Sequence, residues 1–306
     1  MINAVRETAE KIKRLEIRGA RNIAIAAMEA IDEYARHTKA GSREEFLKEL
    51  YLVKEMLFAT RETEPLMRNA LRFVISRVEE NGEKNMEELV KVVHAASKQF
   101  LSILEESRER IAEFGSRRIR DGSVILTHCH SSTVTYMLRR AKEKGKSFEV
   151  FCTETRPFLQ GRITARELVE AGIRTTLIVD SAARFFMNKI DMVVVGADAI
   201  TSEGNVVNKI GTSMMALAAK EARTPFYVVS ELLKFDPATM YGDYEKIEER
   251  SPSEVWSKPP GNLLIRNPVF DVTRRDFIHG IICEEGIVSP HLVTEIVRRR
   301  HPWIFG

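Results

Sequence analysis

Residues 4–119 carry apolar side chains at spacings of three and four. One such set is Ile23, Ala27, Ala30, Ile31 and Tyr34. This spacing places the apolar side chains on one face of an α-helix. Ser42 and Asn85 each stand three residues before a glutamate, an arrangement typical of a helix N-terminus. The pattern predicts four or five helices, the last of which extends from Asn85 towards Arg118.

After the turn-like pair Asp121 and Gly122, the pattern changes to short, continuous apolar runs. The runs cover residues 124–126, 148–151, 175–179, 192–195 and 226–229, and segments with helical spacing separate them. Strands that are apolar throughout are typical of a parallel sheet covered by helices. We therefore predict an α/β protein with an all-helical domain, residues 1–120, followed by a Rossmann-like, mainly parallel, doubly wound sheet domain, residues 121–306.

Two later segments complete the predicted fold. Residues 236–261 are rich in proline, serine and charge, and this composition predicts an irregular excursion. The apolar spacing of residues 281–297 predicts a return to helix.

Composition narrows the functional classes. Lys and Arg number 47 against 44 Asp and Glu, and a net charge of only +3 is not typical of nucleic-acid-binding proteins. The three cysteines are too few and too scattered for a disulfide framework, which indicates a reducing compartment. No window approaches the roughly 18 apolar residues of a membrane span. We expect a cytoplasmic protein that binds neither nucleic acid nor membrane.

Polar residues follow all five apolar runs. They are residues 127–133, 153–157, 180–181, 196–198 and 230–234. In an open parallel sheet, ligands bind beyond the carboxyl ends of the strands. Five strand ends are therefore expected to converge on one pocket.

Cys129 lies just before a predicted helix N-terminus formed by Ser131, Ser132 and Thr133. The backbone N–H groups and dipole of such a terminus hold anions and lower the pKa of a thiol, so Cys129 is a candidate thiolate base. Residue type alone favours a buried, inert cysteine, but the position after a strand favours a reactive one. His128 and His130 flank Cys129, but no further ligand is evident, so we predict no metal site.

Asp198 follows a central apolar strand in the segment Val195-Gly-Ala-Asp198. Burial there would raise its pKa and keep a protonated carboxylic acid available at neutral pH, as proton transfer to a sugar requires. The alternative is an aspartate that caps a helix or turn. The residues alone leave both interpretations open.

Two further segments are candidates for phosphate binding. Residues 204–212 join a glycine to Asn208, Lys209 and a capping threonine before a helix, yet match neither the P-loop nor the dinucleotide motif. Arg18-Gly19-Ala20-Arg21 interrupts the helical half, and Arg61 ends another helix. Arginine binds phosphate well, but each of these side chains alone also fits a solvated surface.

Together these segments resemble a known superfamily. The matching runs are Thr127-His-Cys-His-Ser-Ser132, Thr153-Glu-Thr-Arg-Pro157, Val195-Gly-Ala-Asp-Ala-Ile200, Asn208-Lys-Ile-Gly-Thr212 and Asn267-Pro-Val-Phe-Asp-Val-Thr273. The superfamily unites the regulatory subunits of translation initiation factor 2B, methylthioribose-1-phosphate isomerases and archaeal ribose-1,5-bisphosphate isomerases. The Thr-His-Cys-His-Ser-Ser run is similar to the last of these.

The resemblance implies roles for individual residues. Cys129 and Asp198 correspond to the acid/base pair of the catalytic members, which the initiation-factor subunits lack. The implied substrate-binding residues are Arg18, Gly19, Ala20, Arg21, Arg61, Ser131, Ser132, Thr133, Asn208, Lys209 and Lys234. The site would then lie between the two domains, with no metal and no cofactor.

The resemblance also implies an activity. The chain would convert ribose 1,5-bisphosphate to ribulose 1,5-bisphosphate, in nucleotide (AMP) breakdown, as a homo-oligomer, either a dimer or a hexamer. A non-catalytic regulatory subunit similar to those of initiation factor 2B is one alternative. A methylthioribose-1-phosphate isomerase, whose substrate lacks the second phosphate, is the other.

Overall fold

Helices fill the N-terminal part of the computed structural model, which describes residues 2–61, 63–82, 85–242 and 247–305. They are α1 (Ile2–Lys13), α2 (Ala20–Arg36), α3 (Arg43–Phe58), α4 (Pro65–Glu80) and α5 (Met86–Arg118). The predicted helical half is confirmed, and the Ser42 hydroxyl accepts from the Glu45 N–H at the start of α3 (3.2 Å). No helix within the described ranges has both the length and the apolar character that crossing a membrane requires.

Helix α5 packs against both halves of the chain. Its first part, from Leu89 to Leu104, is buried in the core of the helical half. Further along, Ile111 is buried in a core that it shares with the sheet. A Cβ on Gly115 would lie 2.1 Å from the sulfur of Met137, so this glycine permits close packing on the next helix. One helix thus ties the two halves together, and the division at residue 120 stays a prediction.

Strands and helices alternate after residue 118. The strands are β1 (Val124–Thr127), β2 (Glu149–Thr153), β3 (Arg174–Ile178), β4 (Met192–Val195), β5 (Ala199–Ile200), β6 (Val206–Lys209), β7 (Phe226–Val229), β8 (Phe270–Thr273), β9 (Gly280–Cys283) and β10 (Gly286–Val288). The helices are α6 (Ser132–Glu143), α7 (Gly161–Glu170), α8 (Ala183–Phe186), α9 (Thr212–Ala222) and α10 (Val293–Arg300). The main sheet has the order β10-β9-β7-β4-β1-β2-β3 and is parallel except at β10. The predicted Rossmann-like, mainly parallel architecture is confirmed.

One local prediction was wrong, and one sheet was not predicted. Residues 281–297 do not form one helix, because β9 and β10 make an antiparallel hairpin before α10 begins. A short apolar run such as Ile281–Cys283 fits a buried strand as well as a helix, so periodicity could not decide. Residues 204–212 contain β6, which lies between β5 and β8 in a small antiparallel sheet. The partner strand β8 comes far later in the chain, so the sequence did not reveal this sheet.

Asp271 fixes the start of α9 from the neighbouring strand β8. Its carboxylate accepts from the Gly211 N–H (2.8 Å), the Ser213 N–H (3.1 Å) and the Ser213 hydroxyl (2.9 Å). These N–H groups at the first turn of a helix have no partner within the helix itself. Asp271 therefore holds the turn that joins β6, with Asn208 and Lys209 at its end, to α9.

We expect Asp271→Ala to lower the free energy of unfolding by about 1–2 kcal/mol, because donors at the start of α9 lose their acceptor. Urea denaturation at neutral pH measures the change. Asp276→Ala is the matched control, since the side chain of Asp276 forms an exposed ion pair with Arg274 (3.0 Å), and its effect should stay within about 0.5 kcal/mol. Equal effects of the two substitutions would contradict the anchoring role.

Candidate active site

A cavity of about 210 Å³ lies between the N-terminal helices and the carboxyl ends of the sheet strands. All the site residues predicted from the sequence line it, namely Arg18, Gly19, Ala20, Arg21, Arg61, Cys129, Ser131, Ser132, Thr133, Asp198, Asn208, Lys209 and Lys234. They come from six separate segments of the chain. The fold therefore brings the whole predicted set around one space.

Cys129 lies between the end of β1 and Ser131, the N-cap of α6. Its φ of 65° is in the left-handed region, which costs a residue other than glycine about 1–2 kcal/mol. Two hydrogen bonds hold it there: the Cys129 N–H donates to the Thr155 hydroxyl oxygen (2.9 Å), and the Thr164 hydroxyl donates to the Cys129 carbonyl (2.9 Å). Strained backbone fixed in this way is typical of functional sites.

Asp180, just after β3, holds the backbone segment that contacts Cys129. Its carboxylate accepts from the backbone N–H groups of Thr155 and Arg156, both at 2.8 Å. Thr155 has a φ of 66° and in turn contacts Cys129. Three adjacent strand ends are thus linked by hydrogen bonds that end at the cysteine.

The thiol of Cys129 differs from its predicted state. We expected the N-terminus of α6 to lower its pKa, but burial raises the pKa of Cys129 to about 11. The Lys209 ammonium opposes this shift, whereas the negative charges of Asp198 and Asp180 add to it. In the protein without substrate, Cys129 is therefore a thiol at neutral pH, because loss of solvation outweighs the helix terminus.

Asp198 lies between β4 and β5, and its N–H donates to the carbonyl of Val207 in β6 (2.9 Å). It precedes a strand rather than a helix, so the helix-cap interpretation is wrong. Burial raises the pKa of the Asp198 carboxyl group, and the charges of Lys234, Lys209 and Arg61 oppose the rise. The direction agrees with the expectation of a carboxyl group that retains a proton more readily than usual.

The two histidines beside Cys129 are held by neighbouring side chains and backbone. His128 is buried, donates from Nε2 to the Ile210 carbonyl (2.8 Å) and accepts at Nδ1 from the Thr153 hydroxyl (2.6 Å). His130 lines the cavity and donates from Nδ1 to the Thr164 hydroxyl oxygen (3.1 Å). Among the described residues, no group of three or more His, Cys, Asp or Glu could hold a metal ion. The absence of a metal or cofactor from the reaction stays a prediction.

The helical half contributes arginines that already have partners. Arg21 donates to the Leu104 carbonyl (3.0 Å) and pairs with Glu105. Arg61 pairs with Glu248 at 3.1 Å. Arg18 is exposed and donates to the carbonyl of Leu15. These contacts fix the guanidinium groups at the rim of the cavity before any ligand binds.

The sheet half contributes two buried lysines. Lys234 donates from Nζ to the Ala197 carbonyl (2.7 Å), next to Asp198. The ammonium of Lys209 lies 5.1 Å from the centre of the Phe270 ring. Asn208 donates to the Thr212 hydroxyl oxygen (3.0 Å), at the start of α9. Ser131, Ser132 and Thr133 add the N-terminus of α6, which favours an anion.

Three residues of the site region were missed by the sequence analysis. Glu231 is fully buried and accepts from the Thr133 hydroxyl (3.0 Å), while Lys234 (3.5 Å) and Arg21 (3.9 Å) approach it as ion pairs. Nearby cations lower the pKa of Glu231 despite its burial. It therefore organises three of the predicted binding residues, and its position after β7 was the available signal.

The other two missed residues, Glu64 and Arg250, both line the cavity. Glu64 is only 2% exposed and lies just before α4. Arg250 pairs with Glu254 (2.7 Å) and stacks 4.3 Å from the centre of the Phe158 ring. Neither residue lies at a strand end. The rule that ligands bind beyond the carboxyl ends of parallel strands therefore did not identify them.

Comparison with known proteins reveals close relatives over nearly the whole chain. Residues 16–290 match the initiation factor 2 subunit family. Ribose 1,5-bisphosphate isomerase of Thermococcus kodakarensis is 44% identical over 99% of this chain and 96% of its own length. Among solved structures, translation initiation factor eIF-2B of Pyrococcus horikoshii OT3 has a TM-score of 0.81 and 34% identity, covering 94% of this chain and 97% of that one. The 5-methylthioribose 1-phosphate isomerase of the same organism has a TM-score of 0.78 and 31% identity, covering 96% and 86%.

Gly196, which comes between β4 and Asp198, allows these elements to approach α6. A Cβ at this position would lie 2.8 Å from both Cβ and Oγ of Ser131, closer than real contacts of this kind. Either the strand end or the N-terminus of α6 would have to move. The absence of a side chain at Gly196 therefore keeps Cys129 and Asp198 on one cavity.

We expect Gly196→Ala to lower the free energy of unfolding by about 1–3 kcal/mol, the usual result of overpacking. Urea denaturation gives the value. Gly41→Ala serves as the control, because a Cβ there would meet only Glu45 Oε2 at an ordinary 3.7 Å. A variant at Gly196 as stable as the one at Gly41 would show that this close approach is not needed.

Proposed function

This chain belongs to the initiation factor 2 subunit family, and we propose that within the family it is an isomerase that converts ribose 1,5-bisphosphate into ribulose 1,5-bisphosphate. The observation that carries the proposal is the cavity itself, where Cys129 and Asp198 lie among basic side chains from both halves of the chain. The full-length similarity to an enzyme named ribose 1,5-bisphosphate isomerase supports the same substrate.

The basic side chains match the charge of a sugar bisphosphate. Two phosphate groups carry roughly four negative charges near neutral pH, since the second pKa of a phosphate ester is about 6. The basic side chains of the predicted set that line the cavity are Arg18, Arg21, Arg61, Lys209 and Lys234. Together with the N-terminus of α6, they supply enough positive charge and donors for both phosphates.

We propose that Asp198 begins the reaction as a general acid. The phosphate on the first carbon prevents the sugar ring from opening spontaneously, so the enzyme must break the bond between that carbon and the ring oxygen. Asp198 gives its proton to the ring oxygen as this bond breaks. Its carboxylate then accepts the proton of the hydroxyl group on the second carbon, which becomes the ketone. Asp198 ends each turnover in its starting state.

Cys129 moves the second proton. Its thiol first loses a proton to solvent, and the resulting thiolate removes the proton from the second carbon and returns it to the first, through an enediolate-like intermediate. Because the negative charge of Asp198 contributes to the raised pKa of Cys129, a neutral Asp198 favours the thiolate. Protonation of Asp198 and ionisation of Cys129 therefore favour each other.

Further parts of the prediction depend on the resemblance alone. They are the place of the reaction in AMP breakdown and assembly into a dimer or hexamer. We infer a cytoplasmic location from the composition instead, because the three scattered cysteines indicate a reducing compartment. A regulatory subunit without activity and a methylthioribose-1-phosphate isomerase stay as alternatives. An assay that offers ribose 1,5-bisphosphate and methylthioribose 1-phosphate in competition separates the three.

We expect Cys129→Ser and Asp198→Asn each to lower kcat at least about a thousandfold, because each removes one of the two proton-transfer groups. Coupled measurement of ribulose 1,5-bisphosphate formation gives kcat. Cys152→Ser is the control, since Cys152 is buried in the core behind the site and does not line the cavity. Turnover by either site variant at the wild-type rate would refute the assignment.

The reaction in deuterium oxide tests the route of the carbon-bound proton. Exchange of the Cys129 thiol with solvent is expected to place deuterium on the first carbon of the product, which mass spectrometry or NMR detects. A direct hydride shift between the two carbons predicts a product free of deuterium at that position.

A further inference from the structure

Glu64 is a buried carboxyl group of the cavity that the proposed mechanism does not use. It is 2% exposed and stands at the N-cap position of α4, but its side chain does not cap the helix. Its Oε2 atom is buried, and none of the residues that the structure describes forms a hydrogen bond with it. Because burying an unpartnered carboxylate oxygen is costly, the group is expected to exchange protons with its surroundings or with a ligand.

Asp198 is another carboxyl group that lines the same cavity. Burial, followed by the negative charge of Asp198, raises the pKa of Glu64 to about 8. The positive charges of Arg61, Lys234 and Arg68 oppose this rise without cancelling it. A pKa of about 8 keeps a proton on Glu64 at neutral pH, and a negative charge on Asp198 strengthens its hold.

Two of the cations near these carboxyl groups are already paired with other carboxylates. Arg61 is paired with Glu248 (3.1 Å), and Lys234 with Glu231 (3.5 Å). Lys209 remains as a further positive neighbour of Asp198. Two carboxyl groups that interact in one low-dielectric space ionise in two separate steps, and between these steps they hold one proton.

We propose that Glu64 and Asp198 hold one proton in common at neutral pH, and that Glu64 is the store from which Asp198 obtains the proton for ring opening. The use of that proton rests on the proposed function. Whether Glu64 and Asp198 share a proton does not depend on the proposed function and can be tested without substrate. Glu64 acts through Asp198 and is therefore a positioning residue for the acid.

Infrared spectroscopy of the protein without substrate tests the pair directly, because a protonated carboxyl group has its own C=O stretching band. In the wild type, we expect such a band to disappear with a midpoint near pH 8. Glu64→Gln should remove it, and Asp198→Asn should move the midpoint to lower pH, because the neighbouring negative charge is gone. Glu284→Gln is the matched control: Glu284 is also buried and accepts from the Leu232 N–H (3.1 Å), but it does not line the cavity.

Several results would overturn the proposal: no titrating band in the wild type, an unchanged midpoint in Asp198→Asn, or a control that alters the band as Glu64→Gln does. The Asp198→Asn measurement stands even if Glu64→Gln fails to fold. These outcomes do not depend on turnover, so a chain that holds the shared proton but does not convert ribose 1,5-bisphosphate would refute the proposed function only.

Kinetics then test the use of the stored proton. Wild-type kcat should show an inflection near pH 8, where the pair loses its last proton. Glu64→Gln should remove that inflection and leave KM within about threefold of the wild type, which corresponds to less than about 0.7 kcal/mol of binding. A kcat lowered by the same factor at every pH would indicate that Glu64 has a purely structural role. It would contradict the proposal that Glu64 stores a proton for Asp198.

Discussion

The backbone of Cys129 is the constraint on which the rest of the site depends. Its left-handed conformation persists because Thr155 and Thr164 hold the N–H and the carbonyl on either side, and Asp180 holds Thr155. These contacts exist only while β1, β2 and β3 keep their parallel register, in which Thr127 is paired with Cys152 and Thr153 with Ile178. A slip of one residue would reverse the side chains along a strand and release the cysteine. The sheet therefore determines where the thiol points.

Three of the cations that line the cavity, Arg21, Arg61 and Lys234, are paired with carboxylates of the protein. Glu231 is charged and fully buried, yet its ion pairs with Lys234 and Arg21 are longer than its hydrogen bond from Thr133. These longer contacts leave both cations able to turn towards a phosphate while Thr133 keeps Glu231 in place. Such preorganised groups lower the cost of ordering side chains when a ligand binds.

Local patterns of apolar and polar residues predicted the parallel strands and the residues at their ends. Continuous apolar runs identified the parallel strands, and the strand-end rule then located Cys129 and Asp198. The resemblance supplied the basic residues of the helical half, which the pattern alone did not separate from the surface. Glu64 was missed because its importance comes from burial against residues distant in the chain. The raised pKa of Cys129 was missed for a related reason, since a sequence shows a helix N-terminus but not how much water reaches the thiol.

The charges around Asp198 and Cys129 would change when the cavity binds the proposed substrate. Without a substrate, burial raises the pKa of Asp198, and the positive charges of Lys234, Lys209 and Arg61 reduce this rise. If a phosphate binds Arg61 and Lys234 as we propose, it neutralises their charge, and burial then raises the pKa of Asp198 further. A neutral Asp198 no longer raises the pKa of Cys129. Binding of the phosphates thus moves Asp198 towards the protonated form in which a general acid starts.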